Sequence, residues 1–221
     1  MNNHKNYKTI FKHEIAETIE KKSKFIANAK PVESREEAEK FIAEIRQIHK
    51  EATHNVFAYR VYDNNQLTER QTDDGEPSGT AGLPILNYLK GENLVNICIV
   101  VTRYYGGTLL GTGGLVRAYG NCAKEGAVNA GIITKEIYKL LSIKIDYSLL
   151  GKVEYEILNL GYTIISTDYA EDVSILVALI SDEVNQLEKK IIEATSNNVV
   201  INHKEQFFGF WHEGKLCGIE D

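Results

Sequence analysis

Asn96–Gly120, NICIVVTRYYGGTLLGTGGLVRAYG, joins an unbroken apolar run to a stretch that is nearly bare of large side chains. The run NICIVVT has the length of a strand and none of the alternation of a half-exposed one, which predicts a central strand buried on both faces. Six of the chain's 17 glycines then fall between Gly106 and Gly120. Glycine permits the φ > 0 turns that let successive N–H groups converge on one concavity, and a helix N-terminus behind it adds partial positive charge. A helix rich in Ala and Gly is expected from Leu115 to Ala130, closed by Gly131 as a C′ glycine. Two readings stay open. Gly106, Gly107, Gly113 and Gly114 form an anion nest with Arg103 and Arg117 at its rim, or the glycines serve only a tight crossover.

Upstream, Tyr7–Glu17 and Ser23–Pro31 read as strands around a turn at Lys21-Lys22. Ser34 and Glu37 form a capping box for a helix whose apolar face is Ala38, Phe41, Ile42 and Ile45. Asn55–Tyr62 alternates as a strand does, and Asp63-Asn64-Asn65 is a turn. Gln66–Gly79 is polar and predicts an exposed loop. A short helix should run from Thr80 to Lys90, with Pro84 tolerable in its first turn.

From Tyr138 the order restarts. Strands are expected at 138–147, 162–168, 173–180 and 199–207, with helices at 148–160, ended by Gly161, and 182–196, with Asp182 near the cap. This βαββαβ order is that of a ferredoxin-like split βαβ unit. It places a domain boundary at 134–138, giving domains 1–136 and 137–221. The tail GFWHEGKLCGIED is weakly patterned, and Phe207, Phe208, Phe210 and Trp211 should pack on the second domain.

An apolar content of 43% with 25% charged residues is ordinary for a soluble globular chain. No run approaches the length of a membrane span, and the N-terminal stretch has no apolar signal core, so a cytoplasmic location is expected. Three widely spaced cysteines (Cys98, Cys122, Cys217) give neither a disulfide framework nor a zinc pattern. The net charge of −6 is uneven, because all six arginines precede residue 130 and the remainder is acidic. Any recognition of a polyanion therefore belongs to the N-terminal region.

The glycine loop fails the common nucleotide signatures. After Gly106…Gly111 a Walker A loop needs Lys and then Ser or Thr, and this chain has Thr112-Gly113; Val116 stands where a dinucleotide fingerprint needs its third glycine. Asp73, Asp74 and Glu76 can hold a magnesium ion, but capping of the following helix or pairing with arginines explains them better. No metal and no cofactor is expected. Ser78 reads as a helix cap, and Thr80 as part of the same loop. His54 at a strand start can orient the acidic loop. Tyr104 and Tyr105 either stack on a partner or divide between core and surface.

DDGEPSGTAG (73–82) and VVTRYYGGTLLGTGGLVRAY (100–119) resemble the YigZ/IMPACT family, in the right order, and the likeness covers most of residues 15–130. The resemblance implies an N-terminal α/β sandwich related to a domain of a small-subunit ribosomal protein and of elongation factor G, then a ferredoxin-like domain, an α+β architecture. It also implies a link to translation, which eukaryotic relatives regulate. The expected function is thus a non-catalytic regulator that binds RNA, the ribosome or a translation-related protein. Arg103, Tyr104, Gly106, Gly107, Gly113, Gly114 and Arg117 would make the contact, braced by Asp73, Asp74, Glu76, Ser78 and Thr80. The alternative is an enzyme acting on a small phosphorylated substrate held at the glycine loop.

Overall fold

The computed structural model describes residues 6–63, 66–180 and 183–218, and the chain divides after Thr134 into two compact units. The expected turn residues Asn64-Asn65 and the cap Asp182 lie outside the described residues.

The first unit is a five-stranded sheet in the order β2-β3-β6-β4-β5, with β6 (Ile97–Tyr104) at its centre. β6 runs antiparallel to both β3 (Ser23–Pro31) and β4 (His54–Asp63). Strand alternation sends its residues to two cores. Ile97, Ile99 and Val101 join Phe25, Ala27, Val56 and Ala58 under helices α2 (Gly82–Gly91) and α3 (Thr112–Asn129). Cys98 and Val100 join Phe57, Tyr59 and Val61 under helix α1 (Arg35–Ile48). Burial on both faces is why the run NICIVVT carries no polar alternation.

Helix α1 starts where the sequence signals it. Ser34 Oγ accepts from the Glu37 N–H at 3.1 Å, while Glu37 Oε2 reaches back to the N–H of Glu33, one residue before the cap. The single strand expected over 7–17 is two, β1 (Tyr7–Ile10) and β2 (Glu14–Glu20). The segment expected to be loop from Gln66 contains an edge strand, β5 (Gln66–Thr72). Its QLTERQT pairs with β4 alone and leaves no fully buried position, so no apolar alternation marks it.

The second unit has the βαββαβ order: β7 (Ile132–Ile145), a 3-10 turn (Tyr147–Leu149) leading into α4 (Leu150–Asn159), β8 (Thr163–Tyr169), β9 (Val173–Ile180), α5 (Val184–Thr195) and β10 (Val200–His212). The order β10-β7-β9-β8 is antiparallel throughout, as in a ferredoxin-like fold. Val153, Ile157, Leu187 and Ile191 from the helices meet Leu141, Ile143, Ile175 and Val177 of the sheet. The tail is more ordered than its pattern suggests. β10 runs five residues beyond the expected end and turns at Glu213-Gly214 into β11 (Lys215–Cys217). Phe207 stacks on Tyr138 at 5.7 Å, and Trp211 is 44% exposed.

Cys98 and Cys122 are buried and Cys217 is half-buried, all three as free thiols. Burial holds the Cys98 thiol far above its usual range and pushes Cys122 up to about 11. No helix among the described residues is long and apolar enough to cross a membrane.

Candidate functional site

The site begins with where strand register puts Arg103. It follows Val101 on the face of β6 that meets α2 and α3, between its cross-strand neighbours Phe25 and His54. The guanidinium is therefore buried, with 6% of its side chain exposed, and does not stand at a rim. It lies over the Phe25 ring at 5.4 Å and under the Tyr105 ring at 5.3 Å. A charge so placed needs an opposite charge.

Glu76 supplies it. Asp74 and Gly75, both left-handed (φ +46° and +89°), reverse the chain after β5 and turn Glu76 inward. Its Oε1 accepts from Arg103 Nη1 at 2.6 Å and from the Tyr119 hydroxyl at 2.7 Å. Burial, and then the Glu76 hydrogen bond, hold the Tyr119 phenol far above its ordinary range. His54 Nδ1 meets the Asp74 carbonyl at 2.7 Å, which makes Nδ1 the protonated nitrogen and leaves Nε2 facing Glu76 Oε1 at 3.8 Å. The orienting role expected of His54 is thus played toward the backbone of the acidic loop.

The three acidic residues hold three different things. Asp73 accepts from the N–H groups of Gly79, Ala81 and Gly82 and so caps α2, the task expected of Ser78, which is exposed. Asp74 bridges Arg46 and the Asn55 N–H, fastening α1 to β4. Thr80 donates to the Pro77 carbonyl within the same loop. Each of the three carboxylates has a structural partner, Glu76 through Oε1 alone among the described residues.

The glycine loop divides in two. Gly106 is pinned: its N–H donates to Ser23 Oγ, and a Cβ there would collide with the backbone of Lys22. Gly107 and Gly111, both near φ +75 to +79°, face open space. Helix α3 begins at Thr112, three residues before the expected start, so Gly113 and Gly114 belong to its first turn. Its N-cap, Gly111, has no side chain to bond the first amides, and no acidic residue lies in that turn. The first helical bond is Leu115 N–H to Gly111 C=O, which leaves the amides of Thr112, Gly113 and Gly114 without partners among the described residues. Arg117 is exposed beside them, its Nη1 3.6 Å from where a Gly113 Cβ would lie. Lys21 and Lys22, exposed on the turn that packs on Gly106, add two further cations.

Neither tyrosine enters the core: Tyr104 is half-buried and Tyr105 is exposed. The Tyr104 hydroxyl bonds His49 Nδ1 at 3.0 Å, and Tyr105 is 44% exposed. Burial, helped by the Lys24 cation, holds the His49 imidazole below its usual range.

Under the loop lies a cleft of about 400 Å³. Its floor carries His54, Glu76 and Arg103, and its walls are Pro77, Tyr105, Leu109, Leu110 and Leu115.

Two family models match the chain. The Impact N-terminal domain matches residues 21–127, and a domain of unknown function (DUF1949) matches 143–198. An IMPACT family member of Bacillus subtilis, YvyE, is 37% identical over 189 residues, covering 86% of this chain and 87% of its own. Protein IMPACT of Rattus norvegicus is 34% identical over 114 residues, half of this chain but 35% of the rat protein. The crystal structure of a hypothetical protein superposes with a TM-score of 0.57 at 30% identity, over 91% of this chain and 98% of its own.

Proposed function

The chain belongs to the IMPACT family, and from that membership we propose that it is a non-catalytic, translation-associated regulator whose first unit binds RNA phosphate at the open start of α3. The observation that carries this is the trio of amides at Thr112, Gly113 and Gly114, unpartnered among the described residues and flanked by Arg117, Lys21 and Lys22. Amides at a helix N-terminus, aligned with its dipole, suit an anionic oxygen without further help. Arg103, held inside by Glu76, serves as a strut beneath that surface and makes no contact with phosphate.

The charge balance supports a focused patch. The first 130 residues are nearly neutral, so attraction comes from local geometry more than from a broad basic field. RNA binding measured by fluorescence anisotropy on a single-stranded oligonucleotide should weaken steeply with salt. Lys21→Ala, Lys22→Ala and Arg117→Ala should each reduce affinity and lower the salt slope by about 1. Thr112→Pro is the sharper test. Proline suits the first helical position, and Gly111 (φ +75°, ψ 165°) keeps the extended ψ that a residue before proline needs, at a φ open to glycine, so the helix stays while one amide donor goes. Binding that ignores salt and all four substitutions would overturn the proposal, and a pull-down from lysate that survives nuclease would reassign the partner to protein.

A further inference from the structure

The cleft beneath the loop has polar groups at both ends joined by apolar walls, a pattern that the phosphate surface above it does not explain. At its floor are two acceptors without donors and, at Arg103 Nε, a buried donor without an acceptor among the described residues. Both hydrogen bonds to Glu76 and the approach of His54 fall on Oε1, and among the described residues nothing donates to Oε2 of this buried side chain, 4% exposed. With Nδ1 donating to the Asp74 carbonyl, His54 Nε2 in the neutral ring is a second acceptor beside it. Arg103 offsets the charge of Glu76, so the floor offers these groups without a net negative charge. At its lip, Gly111 and Thr112 bring the first turn of α3, whose amides want an acceptor. Between the ends run Pro77, Leu110, Leu115, the Tyr105 ring and Leu109, which leaves 81% of its surface exposed.

We propose that this cleft is a binding site for a small organic anion with an apolar body and an amino or hydroxyl donor. The donor meets Glu76 Oε2 and His54 Nε2, the anion meets the amides of α3, and the body covers Leu109, Leu110 and Leu115. A volume of about 400 Å³ suits a molecule of one or two residues' size and lies within the usual range of ligand pockets. The inference rests on the α3 amides that the phosphate proposal also uses, but on none of Lys21, Lys22 or Arg117.

Four probes of one shape test it: L-phenylalanine and 3-phenyllactate, which have both ends, 3-phenylpropanoate, which lacks the donor, and phenethylamine, which lacks the anion. Titrated into the full chain, the first two should shift the amide resonances of residues 111–114 and the His54 ring signals. Stronger response to phenylalanine marks an ammonium at the floor, and stronger response to phenyllactate a hydroxyl. The two truncated probes should bind at least tenfold more weakly. Leu109→Ala, at a position too exposed to matter for folding, should weaken binding several-fold, and His54→Phe should remove the preference for a donor. The Lys21→Ala/Lys22→Ala/Arg117→Ala protein should lose RNA and keep the small ligand, so either proposal can fail alone. No shift with either complete probe, or equal affinity for all four, would overturn the inference.

Discussion

Arg103 shows how much a single side chain can be read from its neighbours. Strand alternation from Ile97 through Ile99 and Val101 points Arg103 to the same buried face, so its burial was available in the sequence. Its partner was not. Glu76 lies 27 residues earlier in the chain, just after an edge strand that carries no pattern, and the left-handed turn at Asp74-Gly75 brings it inward. Removing one member of such a pair strands the other charge. Glu76→Ala should lower stability by about 3–5 kcal/mol in urea unfolding. Glu76→Leu with Arg103→Met should cost clearly less than the two changes added together. His49 gives a pH signature. Its folded-state proton affinity is depressed, so the unfolded chain binds the extra proton as pH falls below about 6.5. The stability present above that value is lost on acidification, and His49→Gln should flatten the fall in melting temperature between pH 7 and pH 5.

Among the elements, those with two independent signals were legible. The capping box of α1, the buried run of β6 and the C′ glycines Gly131 and Gly161 (φ +75° and +80°) stand where the sequence puts them. Elements with none were missed: polar β5, the β10–β11 hairpin and the first turn of α3, whose consecutive glycines read as loop. Gly113 and Gly114 are helical because Leu115, Ala118 and Tyr119 anchor the turns that follow, so packing overrides propensity. Helix α3 also lies tight on β3. A Cβ at Gly126 would come within 2.9 Å of the Ala27 Cβ. Gly126→Ala should therefore destabilise by about 1–3 kcal/mol despite better helix propensity, and Ala27→Gly in the same chain should restore part of the loss. A single calorimetric series over the two single variants and the pair checks this.

At the scale of the whole chain, the restart of element order after α3 was the strongest long-range signal, because β-α-β-β-α-β admits few arrangements. The antiparallel order β10-β7-β9-β8 is the ferredoxin-like one. Each unit encloses its own apolar packing: two cores in the first, under α2 and α3 on one sheet face and α1 on the other, and one under α4 and α5 in the second. Residues 1–134 expressed alone should give a cooperative melt and a dispersed amide spectrum, and should retain the RNA affinity of the full chain. A molten fragment would show that the first core depends on the second.

The distribution of thiols has a practical consequence. With Cys98 and Cys122 enclosed and poorly ionised, a maleimide dye added under native conditions should attach to Cys217 alone, on the terminal hairpin. Mass counting of labels against time in mild denaturant would then report the opening of the first unit residue by residue, with the pre-tagged hairpin as its internal standard.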